Sequence, residues 1–230
     1  YNKNLETNIT DLKKKIDTFQ TLSNLIGKKR VVWRYDPIIV NDKYSIDWHV
    51  EQFEYLTKQL CHYTEKITIS FIDLYAKISH NINEKNIYEL SYTQKDIISN
   101  KFAQIAHSHN LVIDTCAEDI ELSSYGIEHA RCIDDRLISK LLHCSIDMEK
   151  DKNQRLNCGC ITSIDLGLYN TCQNGCVYCY ANHNCAIRRQ NFQSYDPSSP
   201  LLCSHITGAD KITERKVKSQ KNMQLSLFDI

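Results

Sequence analysis

The sequence carries no net charge: twenty-eight lysines and arginines stand against twenty-eight aspartates and glutamates in 230 residues. No global field therefore draws it to nucleic acid or to an anionic membrane, and a partner of either kind must be met by a local patch. It also lacks any apolar segment with the length of a membrane span or the flanks of a signal peptide. Internal repeats and low-complexity tracts are absent. There is no initiating methionine. The chain opens at Tyr1 directly into polar, helix-like sequence, so a native N-terminal segment, with any targeting signal, is expected to be missing.

What is present is a 42% apolar complement, enough for one large domain or one domain with a short appendage. There are also eleven cysteines. An odd count in a long chain without a secretory signal points to a reducing cytoplasm and metal-bound thiols rather than to disulfides.

Leu5, Ile9, Leu12, Ile16, Phe19, Leu22 and Ile26 recur at spacings of three and four before Gly27, which predicts an amphipathic helix with a glycine stop. "KRVVWRYDPIIV" reads as a strand ended by Pro37, and "EKITISFIDLY" as a second strand. Helical spacing returns between them through Ile46, Val50 and Phe53. A helix over about 93–108 precedes a third strand, "NLVIDTCAED", and two short helices are expected in "DIELSSYGIEHA" and "DDRLISKLLHC". Alternating strands and helices at this spacing argue for parallel βα units. An incomplete or elaborated (β/α) barrel is the first expectation, an open doubly wound sheet the second. Either gathers Arg34, Asp36, Asp73, Cys116 and Glu118 on the rim at the strand C-terminal ends. Residues 1–145 would form this barrel portion, 146–202 a cysteine-rich segment and 203–230 a flexible basic tail.

In "YNTCQNGCVYCYAN", Cys172, Cys176 and Cys179 form a C-x3-C-x2-C array. These spacings also suit one face of a helix, but Asn174-Gly175 inside the array favours a turn. Three thiolates on a loop wrapping one centre suit a cubane iron–sulfur cluster with one iron left without a protein ligand. The rival is structural zinc, with His183 or Cys185 as the fourth ligand and the segment acting as a non-catalytic module that binds DNA or another partner.

Cys172, Cys176, Tyr178 and Cys179 match the C-x3-C-x-aromatic-C motif and so resemble radical S-adenosylmethionine enzymes. The resemblance implies a [4Fe–4S] cluster on the three cysteines, S-adenosylmethionine chelated at the open iron, and Tyr178 near the adenine. The chain is also similar to the family catalogued as domain of unknown function 1848, regarded as related to spore photoproduct lyase. The matching stretches include "RVVWRYDPII", "TCAEDIELSSYGIEHARCID", "DKNQRLNCGC" and "SIDLGLYNTCQNGCVYCYAN". Two features depart from the radical superfamily. The triad follows at least three βα units instead of the first strand, as in a circularly permuted barrel with its cluster-binding loop near the C-terminus, and the sequence contains no Gly-Gly pair.

Cys116, Cys132, Cys158 and Cys160 lie at expected turns and are candidates for an auxiliary iron–sulfur cluster or a tetrahedral zinc. Buried cysteine also serves as a small hydrophobe, which is the competing reading. Arg34 and Asp36 are candidate cofactor contacts, or else an ion pair closing the strand end. Finally, Gln224, Leu225, Leu227 and Phe228 of "QLSLF" resemble the peptide by which bacterial DNA polymerases and repair proteins bind the β sliding clamp. Together these implications point to an iron–sulfur lyase acting in DNA repair or modification.

Overall fold

A computed structural model describes residues 1–222, the side chain of His80 excepted. Its centre is a parallel sheet of four strands in the order β1 (Trp33–Ile38), β2 (Lys66–Phe71), β3 (Val112–Thr115), β4 (Glu128–His129). The connections run through α2 (Ile46–Leu60), then α3 (Ser79–Asn83) and α4 (Tyr92–Ser108), with α1 (Leu12–Ile26) ahead of β1. The register aligns Arg34 with Thr68 and Thr68 with Asp114, so the two faces of the sheet can be read directly from the sequence.

One face is apolar. Ile67, Ile69, Phe71 and Ile113 are buried there, and Trp33 and Tyr35 meet the rings of α2 and α4. Phe53 of α2 and Phe102 of α4 stack with centroids 3.8 Å apart and neither is exposed. Each such ring contributes roughly 1.5–3 kcal/mol by burial, with a further increment from the ring pair. The helices are fixed by their caps. Asp11 accepts from Lys14 N, Ser45 from Trp48 N, and Ser91 with Gln94 forms a capping box.

The opposite face is polar and internally bonded. Thr68 Oγ1 donates to Asp114 Oδ1 at 2.6 Å, Lys66 Nζ pairs with Asp114 at 2.5 Å and reaches Asp134 at 3.6 Å, and Ser70 donates to Asp36. Asp134 is the N-cap of α5 (Asp135–Leu142), so the segment entering that helix lies against this face.

Three expectations are corrected. The first helix starts at Leu12 rather than near Leu5, because Asp11 caps it and residues 1–8 leave to meet the cysteine loop. Pro37 lies inside β1, where an edge strand needs no donor from it, and the register shifts between Tyr35 and Ile38. "DIELSSYGIEHA" is not a helix but a 3₁₀ turn at Ser123–Tyr125 followed by β4. Gly126, at φ +71°, breaks the helical path, and Ile120, Leu122 and Ile127 are buried at spacings that no α-helix face offers.

Beyond α5, β5 (Ser145–Ile146) pairs antiparallel with β6 (Lys221–Asn222), and α6 (Cys185–Gln193) follows the cysteine array. Among the described residues no helix is long and apolar enough to cross a membrane.

Candidate metal centre

Residues 172–179 are turns and irregular backbone, with one β-bridge between Cys176 and Glu6. Gly175 turns the chain at φ +69°, a conformation that disfavours other side chains. The N-terminal stretch runs along this segment. Asn8 N donates to Asn174 O at 2.9 Å, Val177 N donates to Leu5 O at 3.0 Å, and Asn8 Nδ2 donates to Gln173 O at 2.7 Å. Asn170, buried and at φ +58°, clasps the far side: its N–H donates to Ala181 O at 2.8 Å and its Oδ1 accepts from Asn184 N at 2.8 Å.

Cys172 is exposed while Cys176 and Cys179 are half-buried. The Cys176 thiol is pushed up by burial first and then by the Glu6 carboxylate, with smaller contributions of the same sign from Cys179 and Cys172. Asn174 N donates to Cys172 Sγ at 3.4 Å. Gln173 Nε2 and Asn182 Oδ1, both shielded from solvent, have no hydrogen-bond partner among the described residues. A loop with three thiols, an amide on one sulfur and two unpartnered polar atoms suits a cluster with a small polar ligand. As the side chains stand, no three His, Cys, Asp or Glu among the described residues are gathered into a metal-holding group.

Tyr178 donates to Glu6 Oε1 at 2.5 Å and packs edge-on to Tyr1, with centroids 6.2 Å apart. Its hydroxyl is held well above the usual phenolic range by burial first and by Glu6 second. Glu6 also borders a cleft of about 720 Å³ lined by Trp33, Arg34, Asp36, Tyr44 and Trp48. Arg34 and Asp36 thus border the same cleft as the carboxylate that holds the cysteine segment. They form an ion pair at 2.8 Å, as one of the two readings of these residues required.

Arg34 Nη1 also donates to Cys132 Sγ at 3.0 Å, and Cys132 Sγ lies 3.4 Å from Cys116 Sγ. Cys116 is drawn down to about 6 by the hydrogen bond from Cys132, against burial and with help from Arg34. Cys132 moves up correspondingly, chiefly through Cys116. For the Arg34 guanidinium, burial opposes the charge, and the nearby Cys116 sulfur and the hydrogen-bonded Asp36 carboxylate outweigh it. Cys158 and Cys160 are both buried, and Cys160 lies against the same stretch: its Sγ accepts from Cys132 N at 3.2 Å and from Ile133 N at 3.3 Å.

Other rim residues have local partners. Asp73 pairs with Arg155 at 2.6 Å, and Glu118 accepts from Phe71 N at 2.8 Å and pairs with Lys95. Gln224, Leu225, Leu227 and Phe228 lie outside the described residues. Glu6 and Asn170 escaped the sequence reading. Neither has a local signal, because their partners are distant in the chain or on the far side of a loop.

The fold and these thiols define a parallel α/β protein with a cysteine-rich edge. The chain belongs to the family described as Domain of unknown function (DUF1848), whose family model matches residues 1–181 and so takes in the triad and the second group of four cysteines. No curated protein and no solved structure matches it.

Proposed function

We propose that the protein is an iron–sulfur enzyme of the radical S-adenosylmethionine kind, with a [4Fe–4S] cluster held by Cys172, Cys176 and Cys179. The observation that carries this reading is the triad's setting: three thiols on a glycine-turned segment, clasped by Asn170 and by residues 5–8, beside two unpartnered polar atoms. When bound, the cluster would supply one-electron cleavage of the sulfonium cofactor at an iron free of protein ligands. The chain's own residues bind and orient. Arg34 and Asp36 offer a fork and an acceptor to a carboxylate and a ribose in the adjoining cleft, and Tyr178 presents its ring edge beside Glu6.

The reading takes the four parallel strands as part of an incomplete, barrel-like arc. The reading extends to a cytoplasmic location, to DNA as substrate class and to the β sliding clamp as partner through Gln224, Leu225, Leu227 and Phe228. These rest on the sequence resemblances alone, and clamp binding that survives Leu227→Ala with Phe228→Ala would remove the tail from the argument.

The test is anaerobic. Purified protein should be brown, contain iron and inorganic sulfide, and release 5′-deoxyadenosine when reduced with S-adenosylmethionine. Cys176→Ala should abolish both colour at this site and product. A colourless protein whose triad binds zinc would sink the proposal and leave a metal-stapled binding module.

A further inference from the structure

The second group of thiols is assembled from three separate chain segments. Cys116 directly follows β3, where its N–H donates to Ile69 O at 2.9 Å. Cys132 comes from the stretch after β4, anchored where Ala130 N donates to Thr115 O at 2.7 Å. Cys158-Gly159-Cys160 is pressed onto that stretch: Ile161 N donates to Ile133 O at 3.2 Å. A Cβ on Gly159 would lie 2.8 Å from Arg131 Cγ and 3.2 Å from Ala130 O.

We propose that Cys116, Cys132, Cys158 and Cys160 form a second, mononuclear metal site, a tetrahedral four-thiolate site of the zinc class. The Cys116–Cys132 sulfur separation of 3.4 Å is close to the edge of a zinc tetrathiolate, about 3.8 Å for Zn–S bonds of about 2.3 Å. Donors already surround the sulfurs. Two backbone amides point at Cys160 Sγ and the Arg34 guanidinium at Cys132 Sγ. Thiols acting only as small apolar filler have no use for two amides and a cation, whereas four thiolates around a divalent ion carry net negative charge that such donors offset. Binding draws the Cys158–Cys160 hook the remaining distance toward the Cys116–Cys132 pair. With four protein ligands the site is closed, so its role is to fasten residues 151–161 to the sheet rim and not to activate a substrate.

The site is tested in the full chain carrying Cys172→Ala, Cys176→Ala and Cys179→Ala, which makes the outcome independent of the cluster reading. Elemental analysis after purification with zinc should find one zinc per chain, and adding Cys160→Ser should remove it. Should the added substitution prevent folding, cobalt substitution in the triple variant decides: the visible bands of tetrahedral cobalt with charge transfer from four thiolates are expected. Metal-free triple variant, iron with inorganic sulfide at this site, zinc retained by Cys160→Ser, or cobalt bands with fewer thiolates would each overturn the proposal.

Discussion

The Tyr178 hydroxyl donates to Glu6 Oε1 at 2.5 Å, tying the aromatic residue of the cysteine segment to a carboxylate 172 positions earlier in the chain. The same carboxylate residue bridges to Cys176 through its backbone. Side chain and main chain of Glu6 therefore fix one short segment twice, at Cys176 and at Tyr178, the residue before Cys179.

Tyr178→Phe removes the hydroxyl and leaves Glu6, only 8% exposed, short of a donor. A hydrogen bond to a charged group contributes roughly 1.5–3 kcal/mol. Urea unfolding should show a loss of that size, and a double-mutant cycle with Glu6→Gln should show coupling. Additive effects would mean the pair does not hold the segment.

Gly159→Ala places a methyl group against Arg131 Cγ and the Ala130 carbonyl. Overpacking of this kind costs about 1–3 kcal/mol. Gly208→Ala, with nothing within 4 Å of the added carbon, is the control and should change stability by less than about 0.5 kcal/mol. Equal unfolding midpoints for the two variants would contradict the close approach.

His49 is fully buried, hydrogen-bonded to Tyr35 Oη and Ile39 O at 2.8 Å each, and lowered to about 4, mainly by burial. Its folded value lies below the unfolded value of about 6.5, so the unfolded state takes up the proton first as pH falls. The associated stability is complete above about pH 6.5 and is lost progressively toward pH 4, on the order of 3 kcal/mol in all. Denaturation midpoints of the wild type and His49→Gln between pH 7.5 and 4.5 should converge as the pH drops. Parallel curves would refute it.

Asn170→Ala deletes the acceptor for Asn184 N and puts a residue with no polar side chain at φ +58°. Hydrogen exchange at Ala181–Asn184 should accelerate at least several-fold, with the sheet strands unaffected. Asn170→Gly, which keeps the backbone conformation at no steric cost, should fall between the two.

Much of the βα core was legible because its signals are local. The apolar spacing of α1, α2 and α4 and the branched residues of β2 and β3 lie within one window of sequence, and parallel order then brings Arg34, Asp36 and Cys116 to one side. β4 was not legible: two residues after a glycine-ended turn carry no period, and only pairing with Asp114 and Thr115 makes them a strand. The gathering of Cys132 with Cys160 was readable only as a list of turn cysteines, since their closeness depends on how the stretch after β4 folds back. Glu6 looked like one polar residue of a helix, and its function as a partner depends on a segment read more than 160 residues later.

That last contact also sets a clock. At translation rates of about 5–20 residues per second, roughly ten to thirty seconds separate the emergence of Glu6 from that of Cys176. Throughout that interval Leu5, which is 4% exposed in the finished fold, has no cysteine segment to lie against. Residues 5–8 gain these partners only once the cysteines are made, so that stretch and the cysteine segment complete their shared contacts together, and late.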